Sequence, residues 1–112
     1  MALTNDLVSA VEDLQRDLSS PIDVIAGAVG VSTRTVERWG QGGTFPQTEA
    51  RQRLERLLAL KDRLHQTFTT TDDVRGWMLS DNRYLGGIKP IEVLRAGRLD
   101  RLEGGLEALD SG

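Results

Sequence analysis

Apolar residues recur along this chain at intervals of three and four, the spacing that lines one side of an α-helix. The strict alternation of a half-buried strand is nearly absent. Leu3, Leu7, Val11, Leu14 and Leu18 form the first stripe, and Ser19-Ser20-Pro21 ends it. Pro21 suits a helix start, where its missing N–H costs little, and predicts a second helix over Ile22–Val29. Gly30 supplies a turn and Ser32 can cap a third helix, about Ser32 to Gln41, that ends at the glycines of GQGGTFP. Pro46 opens a longer fourth helix whose apolar face is Leu54, Leu57, Leu58, Leu64 and Phe68, with Glu49 and Arg53 as an exposed i,i+4 pair. TFTTTDD breaks that helix. Thr70 or Thr71 offers the next cap, and Asp72 and Asp73 suit the positive end of the short helix VRGWML. A loop, LSDNRYLGG, follows; Pro90 begins IEVLRA and Gly97 ends it. A last helix covers about Leu99 to Leu109, weakened at Gly104-Gly105 by about 1 kcal/mol per glycine relative to alanine. The expected fold class is all-α.

Length and composition narrow the class. A chain of 112 residues makes one domain, or two small ones sharing a core. It has no cysteine, so no disulfide or thiolate-held metal is expected, and with a single histidine, His65, a zinc site would need carboxylates almost alone, an unusual ligand set. No apolar run approaches the roughly 18 residues of a membrane helix, and the acidic start MALTNDLVSAVEDLQRD lacks the basic-then-apolar order of a signal peptide. A soluble, cytoplasmic protein without membrane contact is the expectation. The net charge of −3 is unevenly spread. Residues 1–18 carry one basic side chain against four acidic, residues 19–66 seven against five, and residues 67–112 six against eight. The middle is mildly basic, which permits nucleic-acid binding.

That middle holds GVSTRTVERWGQG, Gly30 to Gly42. Two helices joined by a tight turn at a steep angle need a small residue at the crossing, a glycine tolerant of positive φ, and interior anchors. Ala26 fills the first requirement, Gly30 the second, and Ile22, Ile25, Val29, Val31, Val36 and Trp39 the third. The polar remainder of the second helix is Ser32, Thr33, Arg34, Glu37, Arg38 and Gln41, with Thr35 beside them. These positions fall on the outer face and near the N-terminus, the part of a helix-turn-helix that enters the major groove. Arginine suits guanine edges, threonine thymine methyls or phosphates, and glutamate cytosine N4. The bland alternative is ordinary helical packing with a solvated charged face. One such unit covers little DNA, so a homodimer on a two-fold repeated operator is the natural form. Leu57, Leu60 and Leu64 serve either a partner chain or the core, and the core is the commoner use.

Catalytic chemistry finds little footing. His65 reads as a solvated side chain at the end of the long helix. Glu12-Asp13 and Asp72-Asp73 are sequence neighbours, which a helix fans about 100° apart, so neither makes a carboxylate pair. Gly40, Gly42 and Gly43 lack the Lys-Ser/Thr of a phosphate loop. No enzyme activity, metal or cofactor is expected.

The segment Trp77–Gly112 resembles the toxin-binding domain of the Xre/MbcA/ParS antitoxin family, through Trp77, Leu79, Asn82, Leu85, Gly86, Gly87, Pro90, Glu92, Leu94 and Gly97 in order and spacing. With the helix-turn-helix ahead of it, the likeness covers nearly the whole chain. The resemblance implies an antitoxin that pairs with a RES-domain toxin, an NAD-depleting enzyme, and whose complex represses its own operon through operator DNA. It divides the chain into a helix-turn-helix region, 1–69, and a toxin-binding region, 70–112. It implies toxin contacts in the Asn82–Lys89 loop and from Arg95 onward: Asn82, Arg83, Tyr84, Leu85, Gly86, Gly87, Lys89, Arg95 and Arg98. From the residues themselves, Arg83, Lys89, Arg95, Arg98 and Arg101 surround the glycines with charge suited to a partner's carboxylates. Trp77, Tyr84, Leu79 and Leu94 read as core anchors. A stand-alone helix-turn-helix repressor without a toxin, and a pure protein-interaction adaptor, remain the alternatives.

Overall fold

In the computed structural model, which describes residues 3–111 and side chains from Leu7 onward, seven α-helices follow one another. They are α1 (Leu3–Asp17), α2 (Ile22–Val29), α3 (Thr33–Gly40), α4 (Thr48–Thr67), α5 (Thr71–Leu79), α6 (Pro90–Arg95) and α7 (Leu99–Ser111). The expected all-α class holds. Extended pairing among the described residues is limited to an isolated bridge between Asn82 and Ile88. Leu7, Val11, Leu14 and Leu18 are buried as their stripe predicts, while the side chain of Leu3 lies outside those described.

Local chemistry sets the helix ends. Ser32 Oγ accepts the Thr35 N–H at 3.1 Å, and Thr70 Oγ1 accepts that of Asp73 at 3.1 Å. Gly30 closes α2 at φ +83°, its N–H donating to Ala26 O at 2.8 Å, a left-handed turn that a Cβ would strain. α4 starts two residues later than Pro46 suggests, because Gln47 is the cap residue and its carbonyl accepts the Arg51 N–H.

The buried side chains form one cluster that draws on every helix, among them Leu14, Ile25, Trp39, Leu57, Met78, Leu94 and Leu102. Regions 1–69 and 70–112 therefore share a core. Leu57, Leu60 and Leu64 are part of it. Within this core α2 packs on both α3 and α6. Ala26 is buried as the crossing requires, but the tightest approach lies one residue on. A Cβ on Gly27 would fall 2.0 Å from the Arg95 carbonyl oxygen, and one on Gly97 would fall 2.9 Å from the Gly27 carbonyl oxygen.

Gly104-Gly105 does not interrupt α7. The helix runs unbroken through Gly104-Gly105 to Ser111, because Gly105 is a buried packing position facing Leu85, whose Cδ2 would stand 3.3 Å from an added Cβ. Arg56–Glu103 at 2.6 Å and Arg63–Asp110 at 3.4 Å tie it to α4 at matching intervals, so the two helices run in the same direction. Thr67 Oγ1 adds a hydrogen bond to Asp110 at 2.9 Å.

Two glycine substitutions are expected to act in opposite directions. Gly27→Ala, which must displace backbone, should lower stability by at least about 2 kcal/mol. Gly104→Ala, whose Cβ would meet nothing within 4 Å, should raise it by about 1 kcal/mol. Urea-unfolding midpoints check both.

Candidate functional site

Two surfaces gather the residues singled out from the sequence. On α3, Val36 and Trp39 are buried, while Ser32, Thr33, Arg34, Glu37, Arg38 and Gln41 are exposed and Thr35 is half-buried. Ser32 and Thr35 also approach each other at 2.9 Å between hydroxyls, so both are partly engaged in holding the start of α3. Among the described residues Arg34 and Arg38 join no ion pair, whereas Arg16, Arg51, Arg56, Arg63, Arg95 and Arg98 each hold a carboxylate. The outer face of α3 thus presents two uncommitted guanidiniums flanked by hydroxyl, amide and carboxylate groups, an arrangement able to meet an anionic surface with directional hydrogen bonds.

The second surface is the loop between α5 and α6. Asn82 Oδ1 accepts the Tyr84 N–H at 2.9 Å and starts a single 3-10 turn over Arg83–Leu85. Gly86 and Gly87 follow at φ +70° and +84°, and the Gly87 N–H donates to Asn82 O at 2.8 Å to close the loop on itself. Leu85 is buried, at 1% exposure, against Gly105. It anchors the loop from below, which corrects its place among residues facing a partner. Tyr84 and Leu79, read as core anchors, are instead 55% and 47% exposed; an apolar type at helical spacing does not say which side of a short helix or loop meets the core. Trp77 is half-buried with its ring 6.3 Å from that of Phe68, and Leu94 is fully buried, both as expected.

The basic residues of this surface are largely spoken for. Lys89 Nζ lies 3.1 Å from Asp81, Arg98 Nε lies 3.5 Å from Asp100, and Arg95 pairs with Asp23 of α2 at 3.0 Å and with Glu92. The Glu92 hydrogen bond, followed by that of Asp23, raises the Arg95 guanidinium above its ordinary pKa. The Arg98 hydrogen bond holds the Asp100 carboxyl below the ordinary carboxylate value. Arg83 differs: it is exposed, lies over the Tyr84 ring at 5.9 Å, and joins none of the ion pairs among the described residues. Of the five cations read as suited to a partner's carboxylates, Lys89, Arg95 and Arg98 thus already hold carboxylates within the chain, while Arg83 and Arg101 join no ion pair among the described residues.

Arg53 departs furthest from its sequence reading. It does not face Glu49 as an exposed pair; it reaches inward, donating from Nε and Nη2 to Ala28 O at 3.1 and 2.9 Å and from Nη2 to Gly97 O at 2.6 Å. No local pattern signals a contact across 44 residues. His65 is likewise not simply solvated, since its Nε2 lies 3.3 Å from Asp17 Oδ2 across α1 and α4. Among the described residues no group of three or more His, Asp or Glu side chains is placed to hold a metal ion, and no helix is long and apolar enough to cross a membrane.

No protein-family model matches the chain. Curated relatives do. The mycobacterial cidal antitoxin MbcA of Mycobacterium tuberculosis H37Rv is 32% identical over 108 residues, covering 96% of this chain and 95% of the relative, and MbcA of Mycobacterium bovis matches equally. A chain in the crystal structure of the M. tuberculosis MbcT–MbcA toxin–antitoxin complex superposes with a TM-score of 0.66 at 31% identity, over 95% of both chains. An all-α chain with these two surfaces and these relatives is of the antitoxin class of toxin–antitoxin systems. Within that class, it belongs to the MbcA antitoxin family.

Arg53→Met keeps the aliphatic stem and removes three hydrogen bonds to carbonyls. A loss of about 2–3 kcal/mol in unfolding free energy is expected, with little recovery in Arg53→Lys, because an ammonium cannot reproduce the planar fork.

Proposed function

We propose that this chain neutralises a toxin by direct binding through the Asn82–Lys89 loop and the surface beginning at Arg95. The observation that carries this reading is a relative matched over 95% of its length and solved in complex with its toxin. The target is a RES-domain enzyme that depletes NAD, as the family resemblance implies. Within the loop, Arg83, Tyr84 and Ile88 are exposed and hold no internal ion pair among the described residues; the first two are an arginine and an aromatic, types that dominate binding energy at interfaces.

We further propose that α2, the Gly30 turn and α3 act as a helix-turn-helix, and that a homodimer binds operator DNA to repress the chain's own operon. The exposed Ser32, Thr33, Arg34, Glu37, Arg38 and Gln41 support this, together with the absence of carboxylate partners for Arg34 and Arg38 among the described residues. The α3 N-terminus offers backbone N–H groups suited to a phosphate, and the two arginines suit guanine edges. A stand-alone repressor without a toxin is favoured by one observation, the internal pairing of Lys89, Arg95 and Arg98.

Two experiments separate these roles. Arg34→Ala and Arg38→Ala should each weaken binding to the chain's own promoter and lower the slope of log affinity against log salt by about one; an unchanged gel shift would remove the DNA role. Joint replacement Arg83→Ala/Tyr84→Ala, at exposed positions, should weaken, about tenfold or more, the complex with a RES-domain toxin that the wild-type chain binds and impair rescue of toxin-expressing cells. Undiminished binding and rescue would remove the loop from the interface.

A further inference from the structure

Arg95 closes α6, and α2 meets it at two points. Its carbonyl oxygen lies against Gly27, where an added Cβ would fall 2.0 Å away. Its Nε donates to Asp23 Oδ2 at 3.0 Å. Asp23 and Gly27 are four residues apart and share one face of α2, so a single residue spans one turn of that face. The guanidinium offers two bidentate forks, Nε with Nη2 and Nη1 with Nη2. Asp23 occupies Nε of the first fork. Glu92, three residues earlier on α6, takes Nη1 of the second with both carboxylate oxygens. Nη2 belongs to both forks and donates to none of the described residues.

We propose that Asp23 is an internal competitor for Arg95, and that a carboxylate on the toxin gains its two-point contact with Arg95 only by displacing Asp23. With one donor of each fork already taken, an incoming carboxylate finds only the single-point contact at Nη2 open. Of the two internal partners, Glu92 moves with Arg95 on the same short helix and holds it with both oxygens. The single bond to Asp23, made across to another helix, is the one that yields. Both side chains of that pair are open to solvent, Arg95 at 41% and Asp23 at 54%, so a partner reaches them and water receives the released carboxylate. Asp23 also lies in the first turn of α2, where backbone N–H groups favour a negative charge, so it remains stabilised after release. The Gly27 contact is made by backbone and stays in place while the guanidinium swings away. Asp23 thus lowers the affinity of this chain for its target without being needed to hold the fold closed.

This competition rests on the toxin-binding reading of Arg95, and isothermal titration of the full chain with a RES-domain toxin that the wild type binds tests the two separately. Asp23→Asn keeps the size of the side chain and removes the competing charge. It should tighten the complex about threefold, with an unfolding midpoint no higher than that of the wild type. Damage to the fold does not raise affinity, so the gain reports the release of Arg95. Arg95→Ala should weaken the complex, and adding Asp23→Asn to it should change nothing further, because the competitor then has nothing to withhold. An Asp23→Asn chain that binds as the wild type or more weakly overturns the competition, as does an equal gain in the Arg95→Ala background; either result leaves the toxin contact of Arg95 standing. An Arg95→Ala chain that binds as the wild type removes Arg95 from the interface, and the competition with it.

Discussion

The closeness of α2 to the turn between α6 and α7 is the constraint on which the rest of the molecule depends. Glycines on both sides of the contact remove the side chains that would hold the backbones apart, and Arg53 then bridges Ala28 O and Gly97 O from α4. Ala28 O belongs to the last turn of α2, whose carbonyls lack helical partners and carry the negative end of the dipole. A cation with planar donors satisfies that end and the neighbouring turn together. Backbone closeness and polar satisfaction thus support each other at one point.

The same contact explains why the chain is not two independent pieces. α2 packs on α3, which carries the exposed arginines, and on α6, which leads from the loop into α7. A residue such as Arg95, which the family resemblance assigns to toxin contact, is also paired with Asp23 on α2. The proposed toxin-facing and DNA-facing surfaces therefore share a helix as well as a core.

Charge on this protein divides into two populations. Most exposed basic residues sit against carboxylates, in pairs that solvent screens. Among the described residues the exposed Arg34, Arg38, Arg75 and Arg83 join no ion pair; three of them lie on the two surfaces proposed for binding, while Arg75 of α5 donates to Ser19 Oγ. An unpaired arginine enters a complex without first breaking an internal contact, whereas Lys89, Arg95 and Arg98 must exchange one partner for another.

Helix identities, caps and the turn at Gly30 were legible because each depends on residues three or four apart, and the backbone reads those neighbours directly. The all-α class, the buried stripe of α1, the amphipathic α3 and the caps at Ser32 and Thr70 all belong to this local layer. Long-range geometry was not legible: Arg53 reaching Gly97, Gly27 admitting the Arg95 carbonyl, Gly105 receiving Leu85, and Tyr84 turning outward each join or part residues that no sequence window contains. Side-chain type and spacing determined which helices form and which faces are apolar. Only the packed structure decided which glycines are contacts instead of breaks and which cations are free, because those outcomes depend on what the rest of the fold brings within a few ångströms.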